Sequence, residues 1–217
     1  ALLETLAEID RLCDAYGIKY YYVGETAEEI EKIKDFTSDS LDVHIAMKRV
    51  DYMNFQQILQ EELGPWFDYR SIYSNADHVD MKTYIITDAY DTSDGEYESR
   101  FHGCLDIVGV DLAPIDMVND DDSVEELKRT VITQLLQIAP SMPTEPPYND
   151  VILDIVKQYE DMLGVEINAE GNLQNEFFKA ADNVAMSDAD DRFRRVRISS
   201  DIAEGIYQLY DKTLFDM

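Results

Sequence analysis

The chain has 217 residues, 45% of them hydrophobic, and a formal net charge of −28 from 46 acidic and 18 basic side chains. That length predicts one domain, or one domain with a helical extension, burying roughly 70% of its unfolded surface. The acidic balance repels phosphate backbones and anionic headgroups, which argues against a nucleic-acid or membrane-surface protein. No apolar run reaches the roughly 18 residues of a membrane span and no signal-peptide pattern is visible, so a cytoplasmic location is expected. Cys13 and Cys104 lie in apolar segments outside any C-x-x-C or zinc pattern and read as buried free thiols.

In chain order, Leu2, Leu3, Leu6, Ile9, Leu12 and Cys13 recur at helical spacing, and Gly17 suits the left-handed cap of that helix. Ile18 to Val23 is β-branched and aromatic and reads as a strand ending at Gly24. Thr26 followed by Glu29 resembles a capping box and predicts a helix over 26–35. Leu41 to Met47 alternates apolar with polar residues, as a half-buried strand does, and places positions 42 and 44 on one face. A helix over 51–63 breaks at Gly64-Pro65; residues 66–74 and 81–89 then read as antiparallel strands.

Residues 91–100 read as a loop, and 104–110 as a strand with Asp106 in its middle and Asp111 just beyond its end. Asp120, Asp121 and Asp122 precede a helix over 123–138, where acidic residues favour the helix dipole. Prolines between 140 and 147 mark a breaker, followed by helices near 149–163, 170–186 and 199–213. The pattern predicts an α+β fold: a mixed sheet with flanking helices over 1–139, and a helical C-terminal extension over 140–217 packed on it. The basic run Arg192 to Arg197 has three candidate destinations: an acidic partner, a phosphate-bearing substrate or the chain's own acidic face.

Nucleotidyl and phosphoryl transfer depend chiefly on metal ions and positioning, commonly through two carboxylates at i and i+2 of one strand and a third from a neighbouring strand. Asp42, His44 and Asp106 have that spacing, although any half-exposed strand carries polar residues at i and i+2. A carboxylate in an apolar strand is costly unless paired, solvated or metal-bound, which singles out Asp106.

Three collinear segments carry a family resemblance. LLETLAEIDRLCDAYGIKYYYVG, KDFTSDSLDVHIAMKRVDY, and MKTYIITDAYDTS with HGCLDIVGVD resemble the LicD family over residues 2–122. The resemblance implies a nucleotidyltransferase-like fold and transfer of a phospho-substituent, such as phosphocholine, from a CDP-linked donor to a cell-surface glycan. It further implies Asp42 and Asp106 as catalytic residues, and Asp42, His44 and Asp106 as ligands of a magnesium or manganese ion. Gly24, Thr26 and Lys34 fall at the donor-binding stretch. The alignment also places Ser40 and Leu41 at two of three consecutive family aspartates, and His44 at the aspartate two residues later, whereas Asp106 and Asp111 keep their places. The expected partners are therefore a nucleotide-activated small molecule and a glycan acceptor. The alternatives are a catalytically inactive binding protein of the same fold and an unrelated acidic α+β protein.

Overall fold

The computed structural model describes residues 1–33, 42–87, 109–187 and 192–216. It is a mixed α+β structure whose chain separates into two compact units, residues 1–70 with 82–114, and residues 71–81 with 115–217. The predicted loop at 91–100, Lys34, Cys104 and Asp106 lie outside the described residues. Among the described residues no helix is long and apolar enough to cross a membrane.

In the first unit, helix α1 (Leu2–Tyr16) buries Leu6, Ile9, Leu12 and Cys13, the apolar stripe that its spacing predicts. Burial pushes the Cys13 thiol up to about 12. Strand β1 (Tyr20–Tyr22) pairs antiparallel with β2 (Asp42–Lys48), Tyr20 facing Met47 and Tyr22 facing Ile45. Helix α2 (Gly24–Ile33) lies between them in sequence, and α3 (Arg49–Glu62) follows β2 directly. Strands β3 (Phe67–Arg70) and β4 (Thr83–Thr87) form the predicted antiparallel pair, β3 being shorter than expected. Strand β5 (Gly109–Val118) pairs with β4 through Gly109 to Leu112, and the order in this unit is β1-β2-β5-β4-β3. Leu6, Ile9 and Leu12 of α1 and Tyr52, Phe55 and Leu59 of α3 form one core with Val43, Ile45, Met47, Ile85, Val110 and Leu112 of the sheet. The odd-numbered residues of β2 and β4 and the even-numbered residues of β5 thus face the helices.

Two expectations need correction here. The helix after β1 begins at Gly24 rather than Thr26, and the Thr26 hydroxyl accepts a hydrogen bond from the backbone N–H of His44 at 3.0 Å instead of capping its own helix. Asp111 lies inside β5, which runs on to Val118. The interruption of the apolar pattern by Asp111, Pro114 and Asp116 concealed this continuation. Pro114, which has no N–H to donate, sits where the strand stops pairing with β4 and, from Ile115, begins pairing with β6.

In the second unit, residues 115–118 of β5 pair antiparallel with β6 (Arg195–Ile198), and β6 pairs with β7 (Tyr210–Asp211). Helix α4 (Asp122–Ile138) is capped by Asp121, whose carboxylate accepts from Ser123 N–H at 2.9 Å. Asn149 caps α5 (Asp150–Leu163), and Asn172 caps α6 (Leu173–Ala185). Phe177 is fully buried and meets the Tyr159 ring edge-on at 5.2 Å. The 71–81 segment is held to α6 by the Asn175 amide, which donates to His78 O at 2.8 Å and Ile72 O at 3.2 Å. The helix predicted near 199–213 does not form. Short 3-10 turns at Ser199–Ile202 and Lys212–Phe215 flank Gly205, whose φ of 75° stops helical continuation.

Two side chains of the basic run, Arg195 and Arg197, pair with the chain's own acidic residues. Arg195 donates to Asp122 at 2.7 Å and to Asn119 O at 2.8 Å, and Arg194 N–H donates to Asp120 at 3.2 Å. Arg197, with 3% of its side chain exposed, pairs with Glu125 and also donates to Ala185 O.

Two outcomes follow from this packing. Glu125→Leu leaves the Arg197 guanidinium buried without its carboxylate and should cost about 3–5 kcal/mol in urea unfolding, whereas Glu125→Leu with Arg197→Met should recover most of that loss. The raised Cys13 value means that its contribution is complete below the ordinary thiol value of 9.0 and is lost as pH rises from there to about 12. In a Cys104→Ser background, iodoacetamide at pH 8 should therefore modify Cys13 only after the protein is unfolded.

Candidate functional site

The period-two alternation that buries one face of the first unit's sheet leaves its polar residues on the other face. His44 in β2, Asp111 in β5 and Lys82 just before β4 share that second face, and all three are partly buried. His44 Nδ1 lies 3.1 Å from Asp111 Oδ2. Lys82 Nζ lies 3.7 Å from the same oxygen. The cross-strand register explains the meeting: Asp111 is directly opposite Tyr84, so Lys82, two residues earlier, is its diagonal neighbour on the same face.

The first turn of α2 is tied to the same place. Val23 N–H donates to His44 O at 3.1 Å, and His44 N–H donates to Thr26 Oγ1 at 3.0 Å. Gly24, at a φ of 57°, makes the turn from β1 into α2; nothing lies within 4 Å of where a β-carbon would be, so glycine serves the backbone conformation rather than a close approach. Of the residues singled out from sequence, Gly24, Thr26 and His44 are thus brought together. Asp42 begins β2, but its side chain, like Lys34 and Asp106, lies outside the described residues. Lys82 escaped the sequence reading. The available signal was its place in the 81–89 strand, where it shares the alternating face of Tyr84 and Ile86.

Of the three expected metal ligands, only the His44 side chain is among the described residues. His44 and Asp111 supply two groups already turned toward each other, and among the described residues no three acidic, histidine or cysteine side chains gather as a metal shell. The Lys82 ammonium beside Asp111 adds repulsion of about 4 kcal/mol per unit charge at 4 Å and an effective dielectric of 20. What the three side chains offer is an imidazole held by a carboxylate, next to a positive charge, on the polar face of the sheet.

The second unit has a cleft of about 300 Å³ between α4 and the 206–209 segment. Its lining includes Arg129, Arg197, Glu125, Ile202 and Tyr207. The Arg197 charge is met by Glu125, and the Arg129 guanidinium lies 4.4 Å from the centre of the Tyr207 ring. None of the catalytic, metal-binding or donor-binding residues expected from the sequence lines this cleft, which makes the polar face of the first unit the stronger candidate.

Thr26→Val removes the acceptor of the buried-side His44 N–H and should cost about 1–3 kcal/mol in unfolding free energy, while Thr26→Ser should cost much less because the hydroxyl remains. No known protein family, no characterised protein and no solved structure matches this chain.

Proposed function

We propose that this chain is a LicD-like protein that moves a phospho-substituent, such as phosphocholine, from a CDP-activated donor to a hydroxyl of a cell-surface glycan. The observation that carries the reading is the meeting of His44 and Asp111 at 3.1 Å on one sheet face. These two positions come from segments far apart in the chain, and each aligns with an aspartate of the resembled family. The element order supports the same reading: a helix, a strand ending at a glycine, a helix, and the strand that carries Asp42 and His44.

In this reading the chain's own residues have separate tasks. Gly24 and Thr26 shape the turn that receives the donor, and Lys34 is a third donor-binding residue. Asp42 and Asp106 are the catalytic carboxylates. Asp111 holds the His44 imidazole in one orientation, a positioning role that fixes which ring nitrogen faces the reacting groups. Transfer forms the bond between the acceptor hydroxyl oxygen and the donor's phosphorus and breaks the bond to the cytidine monophosphate leaving group; the hydroxyl proton passes to solvent or to a protein base.

The replacement of three family aspartates by Ser40, Leu41 and His44 favours a second reading, a binding module of the same fold without turnover. One assay separates the two. CDP-choline is incubated with a glycan acceptor, and release of cytidine monophosphate is followed. Under the transferase reading the wild type turns over, and Asp42→Ala and Asp106→Ala each lower the rate on the order of 100-fold. Binding of CDP-choline without any release of cytidine monophosphate would leave the binding module as the function.

A further inference from the structure

We infer that the cleft between α4 and the 206–209 segment binds a small zwitterion with an apolar body, the chemistry of a free α-amino acid with a branched aliphatic side chain. The cleft is built from the second unit alone, so its ligand does not depend on the reading of the first unit. Its volume of about 300 Å³ stands at the small end of ligand sites and equals roughly ten waters' share of liquid, which suits a molecule of that size.

Charge identifies the polar end of the ligand. The charged side chains that line the cleft are Asp122, Glu125, Glu126, Arg129 and Arg197. Three of them are answered within the fold: Asp122 by Arg195 at 2.7 Å, and Glu125 and Arg197 by each other. Glu126 and Arg129 are not. Among the described residues neither side chain has an ion pair or a hydrogen bond, and they do not pair with each other, although a helix sets residues three apart side by side. Carboxylates are in surplus in this chain, 46 acidic against 18 basic side chains, yet the half-buried Arg129 lies against a tyrosine, 4.4 Å from the centre of the Tyr207 ring. That contact gives none of the five guanidinium N–H donors an oxygen acceptor, and their fork matches a carboxylate. A ligand carboxylate alone would answer Arg129 and be opposed by Glu126. An ammonium on the same molecule answers Glu126 as well. The β-carbons of residues three apart on a helix are about 5–6 Å from each other, so the two side chains reach both charges of one α-amino acid. The rest of the wall is largely apolar. Ile198 and Ile202 are buried, whereas Ile206 and Leu209 remain 45% and 39% exposed, surface that an aliphatic side chain seated in the cleft would cover.

The test is titration calorimetry of L-leucine into the full chain, up to about 10 mM. Two further probes each lack one charge: 4-methylpentanoate has no ammonium, and leucinamide has no carboxylate. Wild type is compared with Arg129→Met, Glu126→Gln and, as a control for loss of one charge outside the cleft, Lys157→Met. Thermal unfolding of each variant shows that it is folded. The expected result is saturable leucine binding that Arg129→Met and Glu126→Gln each weaken roughly tenfold or more, that Lys157→Met leaves unchanged, and that falls by a similar factor when either charge is missing from the probe. If Arg129→Met does not fold, Glu126→Gln, at an exposed position, and the two probes on the wild type decide the matter. Either probe binding as tightly as leucine overturns the inference, and so does leucine binding that a folded Arg129→Met or Glu126→Gln variant keeps in full. No leucine binding at about 10 mM overturns it as well. All of these outcomes leave the function proposed for the first unit standing.

Discussion

The arrangement of the first unit depends on one constraint, the alternation of side chains across a strand. Val43, Ile45 and Met47 in β2, Ile85 in β4 and Val110 and Leu112 in β5 must all turn to one side to meet α1 and α3. A buried side chain of this kind contributes roughly 1.5–3 kcal/mol, so the register is strongly specified. Once it is set, His44, Lys82 and Asp111 have no choice of face. The polar cluster is thus a consequence of apolar packing.

The second unit uses its charges differently. Helix α4 begins in a run of aspartates, and strand β6 brings Arg195 and Arg197 to that helix. Arg195 and Arg197 neutralise an acidic helix start, and the buried Arg197–Glu125 pair ties β6 to α4. Such a pair is weak evidence for stability, since desolvation offsets much of its attraction, but removing one member is expensive. The contrast with the first unit is informative. There Lys82 stands on a sheet face with Asp111 and His44.

The fold was legible where a local rule and the tertiary environment agreed. The stripe of α1, the alternation of β2, the antiparallel pairing of β3 with β4, and the limits of α4 and α5 all follow from residue patterning. It was illegible where a residue answered to a distant partner. Thr26 has the sequence position of a cap, yet its hydroxyl accepts from His44. Pro114 has the look of a strand end, yet it marks an exchange of partners within one strand. The 199–213 stretch reads as a helix, but Gly205 and the pairing of β7 with β6 override it.

The candidate site divides the same way. Sequence by itself determined the acidic character of the protein, the half-buried strand bearing Asp42 and His44, and the glycine turn at Gly24, because composition and period-two or turn chemistry act within a few residues. Only the tertiary structure decided that His44 faces Asp111 across 67 positions of chain and that Lys82 joins them. The reason is physical. Which strands become neighbours, and in what register, is set by burying apolar faces against α1 and α3, and that selection involves the whole unit at once rather than any segment of it.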